Sequence, residues 1–324
     1  MAAIKLEPVR RARSFEEGRR NLDEMGVTIH EGFLPPKTLK ALQERLAEQA
    51  AMEREEGVAW FDGEAVKSKS VKGFIKPGSH IGKPKGQAPF QNISFLPNKG
   101  RVFIDLAKNP DVLAYARHLL GERFNVIAMA GLEICKGSPQ QFLHYDQLVI
   151  PFVAPVPALI NFMFVLSDYD EDMGATRFVP GTHKFTQEQV TRQLQGGDYG
   201  YFKPQDTVPA TAKAGDVIIW DGRTWHGQGE SKSTKVRSSI SLIYALPFLK
   251  PIELYPASML DEVYDSLTPE ERALFDHNAD GGWGGRISPR SKKDRRANTN
   301  AAFPYVPELR RGGRKHAVPF AKLG

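Results

Sequence analysis

The sequence has 324 residues, a formal net charge of +6 and a single cysteine, Cys135. This length allows a sizeable core in one large domain or two small ones, and the hydrophobic content of 41% is ordinary for a globular protein. We expect no membrane span, because no run of about eighteen apolar residues is present. One cysteine excludes an internal disulfide framework, and the charged N-terminus lacks the apolar run of a secretory signal. These features favour a cytoplasmic protein.

The positive charge is concentrated at the C-terminal end. Residues 289–324 contain ten lysines and arginines and two acids, whereas the preceding 288 residues contain 34 basic and 36 acidic side chains. A basic segment of this kind can bind nucleic acid or an acidic partner, but it is more often a solvated face or a subunit contact. We therefore do not expect nucleic acid as a partner. A neutral body with an extended basic arm is compatible with a homodimer.

Helices, a strand and a long loop are predicted for residues 15–120, which we interpret as a helical cap with a lid loop. The segment FEEGRRNLDEMG predicts an amphipathic helix that ends at Gly26, and VTIHEGFL alternates as a strand does. Two prolines then begin a second helix that ends near Gly57. Residues 57–100 have little periodicity and are rich in Gly, Pro, Lys and Ser, which is typical of a lid or binding loop. Four of its aromatic side chains offer apolar surface to a pocket mouth, namely Phe61, Phe74, Phe90 and Phe95.

The pattern changes to closely spaced strands over residues 122–249. Runs of β-branched and aromatic residues bounded by Gly, Pro or Asp include NVIAMAGLEICKG, QFLHYDQLVIPFV, ALINFMFVLSDYD and KVRSSISLIYAL. Many short strands with few helices between them indicate a mainly β fold with flanking helices, a sandwich or jelly roll. We predict a single domain over residues 1–324, in which residues 250–324 form a helix and the basic C-terminal arm.

Three short patterns carry candidate chemistry. His144 and Asp146 lie two residues apart, so that in a strand both face the same side and can bind one ion. His226 follows the apolar run DVIIW at its far end, either as a third ligand or as a packed histidine at the rim. Arg237 lies in an otherwise apolar strand, which is costly unless a carboxylate of the chain or of a ligand meets the guanidinium.

Together these patterns indicate a non-haem iron site. Two histidines and one carboxylate on one face of Fe(II) leave three open positions. The keto acid 2-oxoglutarate can occupy two of them and O2 the third, while the planar fork of Arg237 suits the remaining carboxylate. Zinc accepts the same ligands, but a zinc hydrolase gives Arg237 no role.

At these residues the sequence resembles the phytanoyl-CoA dioxygenase family, a branch of the Fe(II)/2-oxoglutarate oxygenases. The resemblance extends from DEMGVTIHEGFLPP to about Pro247 and is strongest in LHYDQ, VLSDYDEDMGATRFVPGTHK, AGDVIIWDGRTWHG and VRSSISLIY. It implies a double-stranded β-helix core, the cupin-like form of the jelly roll. The order and spacing of a histidine–aspartate pair, a Pro-Gly-Thr-His segment and a distal histidine make this resemblance specific.

The resemblance also implies roles for seven residues. The catalytic metal ligands are expected to be His144, Asp146 and His226. The residues expected to bind 2-oxoglutarate are Arg237 at its distal carboxylate, Gln141 and Thr176 by hydrogen bonds, and Ser239 beside Arg237. His183 in PGTHK is expected to be structural. Because related halogenases have a small residue at the position of Asp146, its carboxylate favours hydroxylation.

The fold and cofactors do not determine the substrate. Gln141 and Thr176 resemble residues of members that tailor natural products, and they favour a small-to-medium apolar metabolite of secondary metabolism. We therefore predict an Fe(II)/2-oxoglutarate-dependent dioxygenase that hydroxylates a C–H bond with O2 and releases succinate and CO2. Two alternatives stay open: a nucleic-acid or protein oxygenase that uses the basic tail, and a catalytically silent binding protein on the same fold.

Overall fold

The structure is a computed structural model and describes residues 6–62, 79–82, 89–150, 152–195 and 202–275. The helices are α1 (Phe15–Met25), α2 (Pro36–Glu55), α3 (Arg101–Ala107), α4 (Pro110–Leu120), α5 (Gln187–Gln195), α6 (Tyr255–Ser258), α7 (Asp261–Ser266) and α8 (Pro269–Phe275). The strands are β1 (Arg11–Ala12), β2 (Val27–His30), β3 (Ala59–Asp62), β4 (Ser79–Gly82), β5 (Phe90–Ile93), β6 (Asn125–Ile134), β7 (Leu159–Val165), β8 (Thr176–Val179), β9 (Val208–Pro209), β10 (Val217–Asp221), β11 (Trp225–Gln228) and β12 (Arg237–Ala245). The basic segment 289–324 and Phe74 lie outside the described residues.

The strands form two facing sheets. Nine strands pair in the order β1-β2-β10-β7-β12-β6-β5-β3-β4, and three pair in the order β11-β8-β9. The small sheet packs on one end of the large one, where Phe178 of β8 contacts Trp220 of β10 with ring centroids 5.5 Å apart. The predicted mainly β fold with flanking helices is confirmed, and two sheets packed in this way are the arrangement of a jelly roll.

The helices other than α5 cover the other side of the large sheet, which we call its helix-facing side. Leu46 of α2, Phe103 of α3 and Tyr115 of α4 belong to the same buried cluster as Phe162 of β7 and Leu242 of β12. The opposite side faces the small sheet and is called the inner side. Because side chains alternate along a strand, each central strand contributes to both sides.

The boundaries of α1 follow from its sequence as predicted. Ser14 accepts a hydrogen bond from the backbone N–H of Glu17 at the start of the helix. Gly26 ends the helix with φ of 75°, a left-handed conformation that glycine adopts without strain. The helix that was predicted after two prolines is also present, as α2. No helix among the described residues is long and apolar enough to cross a membrane.

Residues 15–120 contribute more strands than predicted. β3 and β5 lie in the segment 57–100, which was predicted to be a loop, and they extend the large sheet beyond β6. Their runs of four residues are too short for a periodicity to be recognised in the sequence. Phe61 lies on the helix-facing side and is buried, and Phe95 contacts Tyr255 beneath the helices. Neither phenylalanine offers the exposed apolar surface that we expected.

The prediction of a strand over QFLHYDQLVIPFV is wrong. His144 forms only an isolated bridge with His226, and a short 3-10 helix follows over Asp146–Val149. The apolar side chains of this segment do not join a ladder, because Leu143 and Tyr145 pack against Trp225 outside the small sheet. The apolar run is therefore explained by local packing, which a sequence pattern cannot distinguish from a buried strand.

Candidate metal centre

His144, Asp146 and His226 converge at the edge of the inner side. One ligand atom of each residue lies within 4.8 Å of the ligand atoms of the other two. The Nε2 atom of His144 is 3.7 Å from Oδ1 of Asp146, and Nε2 of His226 is 3.6 Å from Oδ2 of the same carboxylate. The three side chains are partly or fully buried, and Asp146 is the most exposed of them, with 23% of its side chain accessible. Two imidazoles and a carboxylate in this arrangement suit a divalent transition metal.

Backbone pairing joins the two histidines directly. The N–H of His144 donates to the carbonyl of His226 at 2.9 Å, and the N–H of His226 donates back at 2.8 Å. The two rings lie with centroids 4.5 Å apart. The adjacent Gly227 permits this approach, since a Cβ there would lie 2.8 Å from the carbonyl oxygen of Phe142.

Both imidazoles are oriented by backbone carbonyls. Nδ1 of His144 lies 3.0 Å from the carbonyl oxygen of Phe142, and Nδ1 of His226 lies 2.9 Å from that of Thr224. Because a carbonyl oxygen only accepts, Nδ1 must carry the proton of each neutral ring. The lone pair is then on Nε2, the atom that faces Asp146, so both rings are arranged as metal ligands.

The carboxylate of Asp146 is held by two side chains that the sequence analysis missed. Asn161 donates to Oδ2 at 2.9 Å, and the indole N–H of Trp220 donates to the same oxygen at 3.2 Å. Asn161 and Trp220 are opposite each other in the pairing of β7 with β10. Asn161 is a lone amide in the apolar run LINFMFV, and this contrast was the signal that could have indicated it.

Arg237 lies on β12 and is 1% exposed. Its guanidinium donates to the carbonyl of Gly174, has a long contact of 3.5 Å with Oε1 of Gln228, and lies 4.3 Å from the ring centre of Tyr169. No carboxylate in the described part of the chain forms an ion pair with it, so the internal acidic partner that we considered is not found there. Burial lowers the pKa of Arg237 below its ordinary value, and the nearby Tyr169 opposes this shift.

Two buried polar atoms beside each other on β12 have no hydrogen-bond partner. They are Nε of Arg237 and the hydroxyl oxygen of Ser239, which is completely buried. Residues 237 and 239 face the same side of the strand. A buried polar group without a partner costs roughly 1–3 kcal/mol, so a ligand that satisfies both groups would bind favourably here. A carboxylate fits this pair, since it accepts hydrogen bonds from a guanidinium and from a hydroxyl.

Gln141 and Thr176 are connected to Arg237 through residues that the sequence analysis missed. Thr176 is 2.7 Å from the hydroxyl of Tyr169, whose ring lies under the guanidinium. Gln141 accepts from the backbone N–H of Gln228 at 3.2 Å, and the side chain of Gln228 reaches Arg237. The structure thus brings the four residues predicted to bind 2-oxoglutarate into one connected region.

His183, the histidine that we expected to be structural, lies away from the candidate metal centre. Nε2 of His183 is 3.3 Å from the carbonyl oxygen of Asp23, at the end of α1. Burial lowers the pKa of its imidazole. His183 is therefore outside the group of potential metal ligands, as expected.

Part of the inner side is not covered by the small sheet. Ala130 and Leu132 of β6, and Ser241 and Ile243 of β12, are only partly buried although both strands are central. Their neighbours on the helix-facing side, such as Leu242, are fully buried. A central strand with partly exposed side chains on one side implies that the described part of the chain leaves open space above it. Ile243 pairs with Asn161, so this space lies next to the candidate metal centre.

The chain is similar to known dioxygenases. The chain is 28% identical over 188 residues to the dioxygenase af480 of Aspergillus fumigatus, a match that covers 56% of this chain and 57% of that protein. It is 26% identical over 259 residues to the multifunctional dioxygenase ausE of Emericella nidulans, covering 78% and 80% of the two chains. The chain therefore spans little more than half the length of the first of these relatives.

A solved structure has the same fold. The non-haem α-ketoglutarate-dependent carbocyclase SnoK from nogalamycin biosynthesis matches with a TM-score of 0.54 and 20% identity, over 72% of this chain and 84% of that one. The family model of phytanoyl-CoA dioxygenase (PhyH) matches residues 22–239, which is more than half of the chain and includes all three potential metal ligands. The chain therefore belongs to the phytanoyl-CoA dioxygenase family, which confirms the predicted family.

Proposed function

We propose that this protein is an Fe(II)/2-oxoglutarate-dependent dioxygenase that oxidises a C–H bond of a small-to-medium apolar metabolite in secondary metabolism. One observation carries the proposal: a cluster of two histidines and an aspartate accompanies a buried arginine that has no acidic partner in the described part of the chain. The first feature suits Fe(II), and the second suits a cosubstrate with a carboxylate at its far end.

His144, Asp146 and His226 are the proposed metal ligands. Both Nδ1 atoms are engaged with backbone carbonyls, and both Nε2 atoms lie near the carboxylate of Asp146, so the three side chains present ligand atoms to one point. Asn161 and Trp220 hold one oxygen of Asp146, which keeps the carboxylate in place for the metal. With iron bound, the centre supplies an O2-dependent oxidation in which 2-oxoglutarate becomes succinate and CO2 while the substrate C–H bond is oxidised.

Arg237 and Ser239 are the proposed site for the distal carboxylate of 2-oxoglutarate. The Nε group of Arg237 and the hydroxyl of Ser239, which have no partner, would donate to its oxygens. The ring of Tyr169, over which the guanidinium lies, would hold the guanidinium in position. Gln141 and Thr176 would bind the same cosubstrate by hydrogen bonds. Gln141 already accepts a bond from the backbone N–H of Gln228, so its amide would have to rearrange to take this role.

The partly open surface on β6 and β12 supports an apolar substrate. Its side chains are Ala130, Leu132, Ile243 and the single hydroxyl of Ser241, and none of them is charged. Hydroxylation is the first expectation for the reaction, because the carboxylate of Asp146 occupies the position that a halide site would require. A carbocyclase and an epimerase share this fold, and we therefore keep ring closure and epimerisation as competing outcomes.

An anaerobic titration tests this proposal. Fe(II) and 2-oxoglutarate are added to the metal-free protein, and the visible absorption is recorded. We expect a weak charge-transfer band that requires both additions and is lost in His226→Ala. The matched control is His118→Ala, since His118 pairs with Asp23 away from the centre and its loss should leave the band intact. Absence of the band, with tightly retained zinc, would refute the oxygenase assignment.

A further inference from the structure

The turn before β11, residues 222–224, lies against the C-terminal end of α1. The backbone N–H of Asp221 donates to the carbonyl oxygen of Gly26 at 3.0 Å, and the hydroxyl of Thr224 donates to the same oxygen at 2.9 Å. Thr224 is completely buried. The position of this turn is therefore determined by a helix that is almost 200 residues away in the sequence.

Thr224 is also in direct contact with the distal histidine. Its carbonyl oxygen accepts the bond from Nδ1 of His226 at 2.9 Å. The residue thus has two bonds with different partners, one from its side chain to Gly26 and one from the imidazole to its backbone. Because the second bond sets the direction in which Nε2 points, a displacement of Thr224 would turn the ring away from Asp146.

Glycine is the only residue type that fits at position 26, on this side of the turn. A Cβ at position 26 would lie 2.4 Å from the hydroxyl of Thr224 and 2.5 Å from Nδ1 of His183. Both distances are too short for real contacts, and the φ of 75° independently favours glycine. The glycine that ends α1 therefore allows Thr224 and His183 to approach the same point.

The Pro-Gly-Thr-His segment encloses the turn from the other side. The N–H of Gly181 donates to the carbonyl of Met25 at 2.7 Å, which attaches the segment to α1. The hydroxyl of Thr182 donates to the carbonyl of Val179 and accepts from the N–H of Trp225 at 2.9 Å, one residue before His226. Both threonines therefore hold the backbone that presents the distal histidine.

From these contacts we infer that Thr224 and Thr182 are positioning residues for His226, and that the end of α1 and residues 180–183 together form a clamp that directs its Nε2 toward the metal. The inference rests on the proposed function, because it takes His226 as a metal ligand. It assigns a role to the Pro-Gly-Thr-His segment that requires no contact with metal or cosubstrate. The hydrogen bonds of the clamp differ from those that support Asp146, which come from Asn161 and Trp220.

The test uses Co(II) as the probe, added to the metal-free protein with 2-oxoglutarate, because the visible bands of Co(II) report ligand geometry without turnover. Thr224→Val keeps the shape of the side chain and removes the donor to Gly26. We expect Co(II) affinity to fall roughly 10-fold, within the range typical of residues that support a ligand, with altered visible bands. Thr224→Ser keeps the hydroxyl, so its Co(II) affinity and visible bands should match those of the unmodified protein. Thr182→Val should change the bands in the same direction and provides a second variant if Thr224→Val does not fold.

A matched control separates positioning from general stability. Thr28→Val removes another completely buried threonine hydroxyl, which donates to the carbonyl of Arg10 and accepts from Asn21, and neither partner is a proposed metal ligand. We expect it to lower the melting temperature as Thr224→Val does, while the Co(II) affinity and bands stay unchanged. If Thr224→Val and Thr182→Val match Thr28→Val in all three measurements, the clamp is purely structural and the inference is wrong. If the bands of the unmodified protein do not depend on His226, the proposed function fails, and the clamp with it.

Discussion

The two sides of the large sheet differ in chemistry although the same strands form both. On the helix-facing side, Phe162, Leu242 and Tyr244 are fully buried and apolar or aromatic. On the inner side, β12 presents Arg237 and Ser239, of which the Nε atom of the first and the hydroxyl of the second have no hydrogen-bond partner. One side therefore stabilises the fold, whereas the other accepts an energetic cost where a ligand is expected. Successive side chains of β12 point to opposite sides of the sheet, so one strand contributes both to the stable core and to the expected ligand site.

This difference shows on which side of the sheet buried polar groups without partners are tolerated. A buried charge or hydroxyl without a partner opposes folding, and a protein retains it only if other contacts compensate. The helix-facing cluster supplies that compensation, since a fully buried large apolar side chain contributes about 1.5–3 kcal/mol. Substitutions on the inner side should therefore change mainly ligand binding, whereas substitutions on the helix-facing side should change mainly stability.

The largest effect is expected for Arg237→Leu. Loss of a buried partner of a carboxylate should weaken 2-oxoglutarate binding by roughly three orders of magnitude, or about 4 kcal/mol. The melting temperature of the ligand-free protein should not fall, because the substitution removes an uncompensated buried charge. The chelate absorption band gives the affinity, and thermal unfolding gives the stability.

A second buried arginine provides the control. Arg45 is a buried residue of α2 and donates to the carbonyl of Lys99 and to the side chain of Gln49, so its bonds are made within the chain. Arg45→Leu should lower the melting temperature and leave the 2-oxoglutarate affinity unchanged. An unaltered affinity in Arg237→Leu would contradict the role proposed for this residue.

An intermediate effect is expected for Leu242→Ala on the helix-facing side. Truncation of this fully buried side chain should cost about 3 kcal/mol of unfolding free energy, through lost burial and the cavity that remains. Urea denaturation measures the loss, and the iron band should persist below the new melting temperature. Ile243→Ala, one residue later on the inner side, should lose less because Ile243 is only partly buried. Equal losses would mean that the two sides do not differ in packing.

The smallest effect concerns a charge in the helical layer. Burial opposes the ionisation of Glu271, but hydrogen bonds from Arg101, Lys108 and the N–H of Thr268 outweigh it and lower its pKa to about 2. Because the folded-state pKa lies below the unfolded one, this stabilisation is fully present above the unfolded pKa and is lost as the pH falls through about 2.

Glu271→Gln should therefore cost about 2 kcal/mol at neutral pH, after allowance for the partial exposure of Arg101 and Lys108. The difference from the unmodified protein should shrink when urea denaturation is repeated below pH 4.5, the ordinary value for this group. A difference that stays constant with pH would show that Glu271 contributes by packing alone.

Local patterns in the sequence were sufficient for the elements that carry their own signals. α1 and its end at Gly26 follow from amphipathic spacing and from the preference of glycine for the left-handed conformation. The approximate positions of β6, β7, β10 and β12 follow from apolar runs between turn residues. His144 and Asp146 were paired correctly as neighbours, although the strand that justified the pairing is absent.

The supporting residues of the site could not be obtained in this way. Asn161 and Trp220 meet Asp146 only because β7 and β10 pair in one particular register. Tyr169 and Gln228 reach Arg237 from separate loops and strands. Register and loop path depend on contacts between distant parts of the chain, which the local spacing of residue types does not contain.

The reciprocal backbone bonds between His144 and His226 have a consequence for the order of events in the cell. The two imidazoles are brought together when the chain folds, so the freedom that they lose is lost before any ion arrives. A metal-free molecule should then keep the pair in register and take up its ion without refolding. If the two histidines bind iron as proposed, the ion would add late to a protein that is already folded, and its loss and return would leave the fold unchanged.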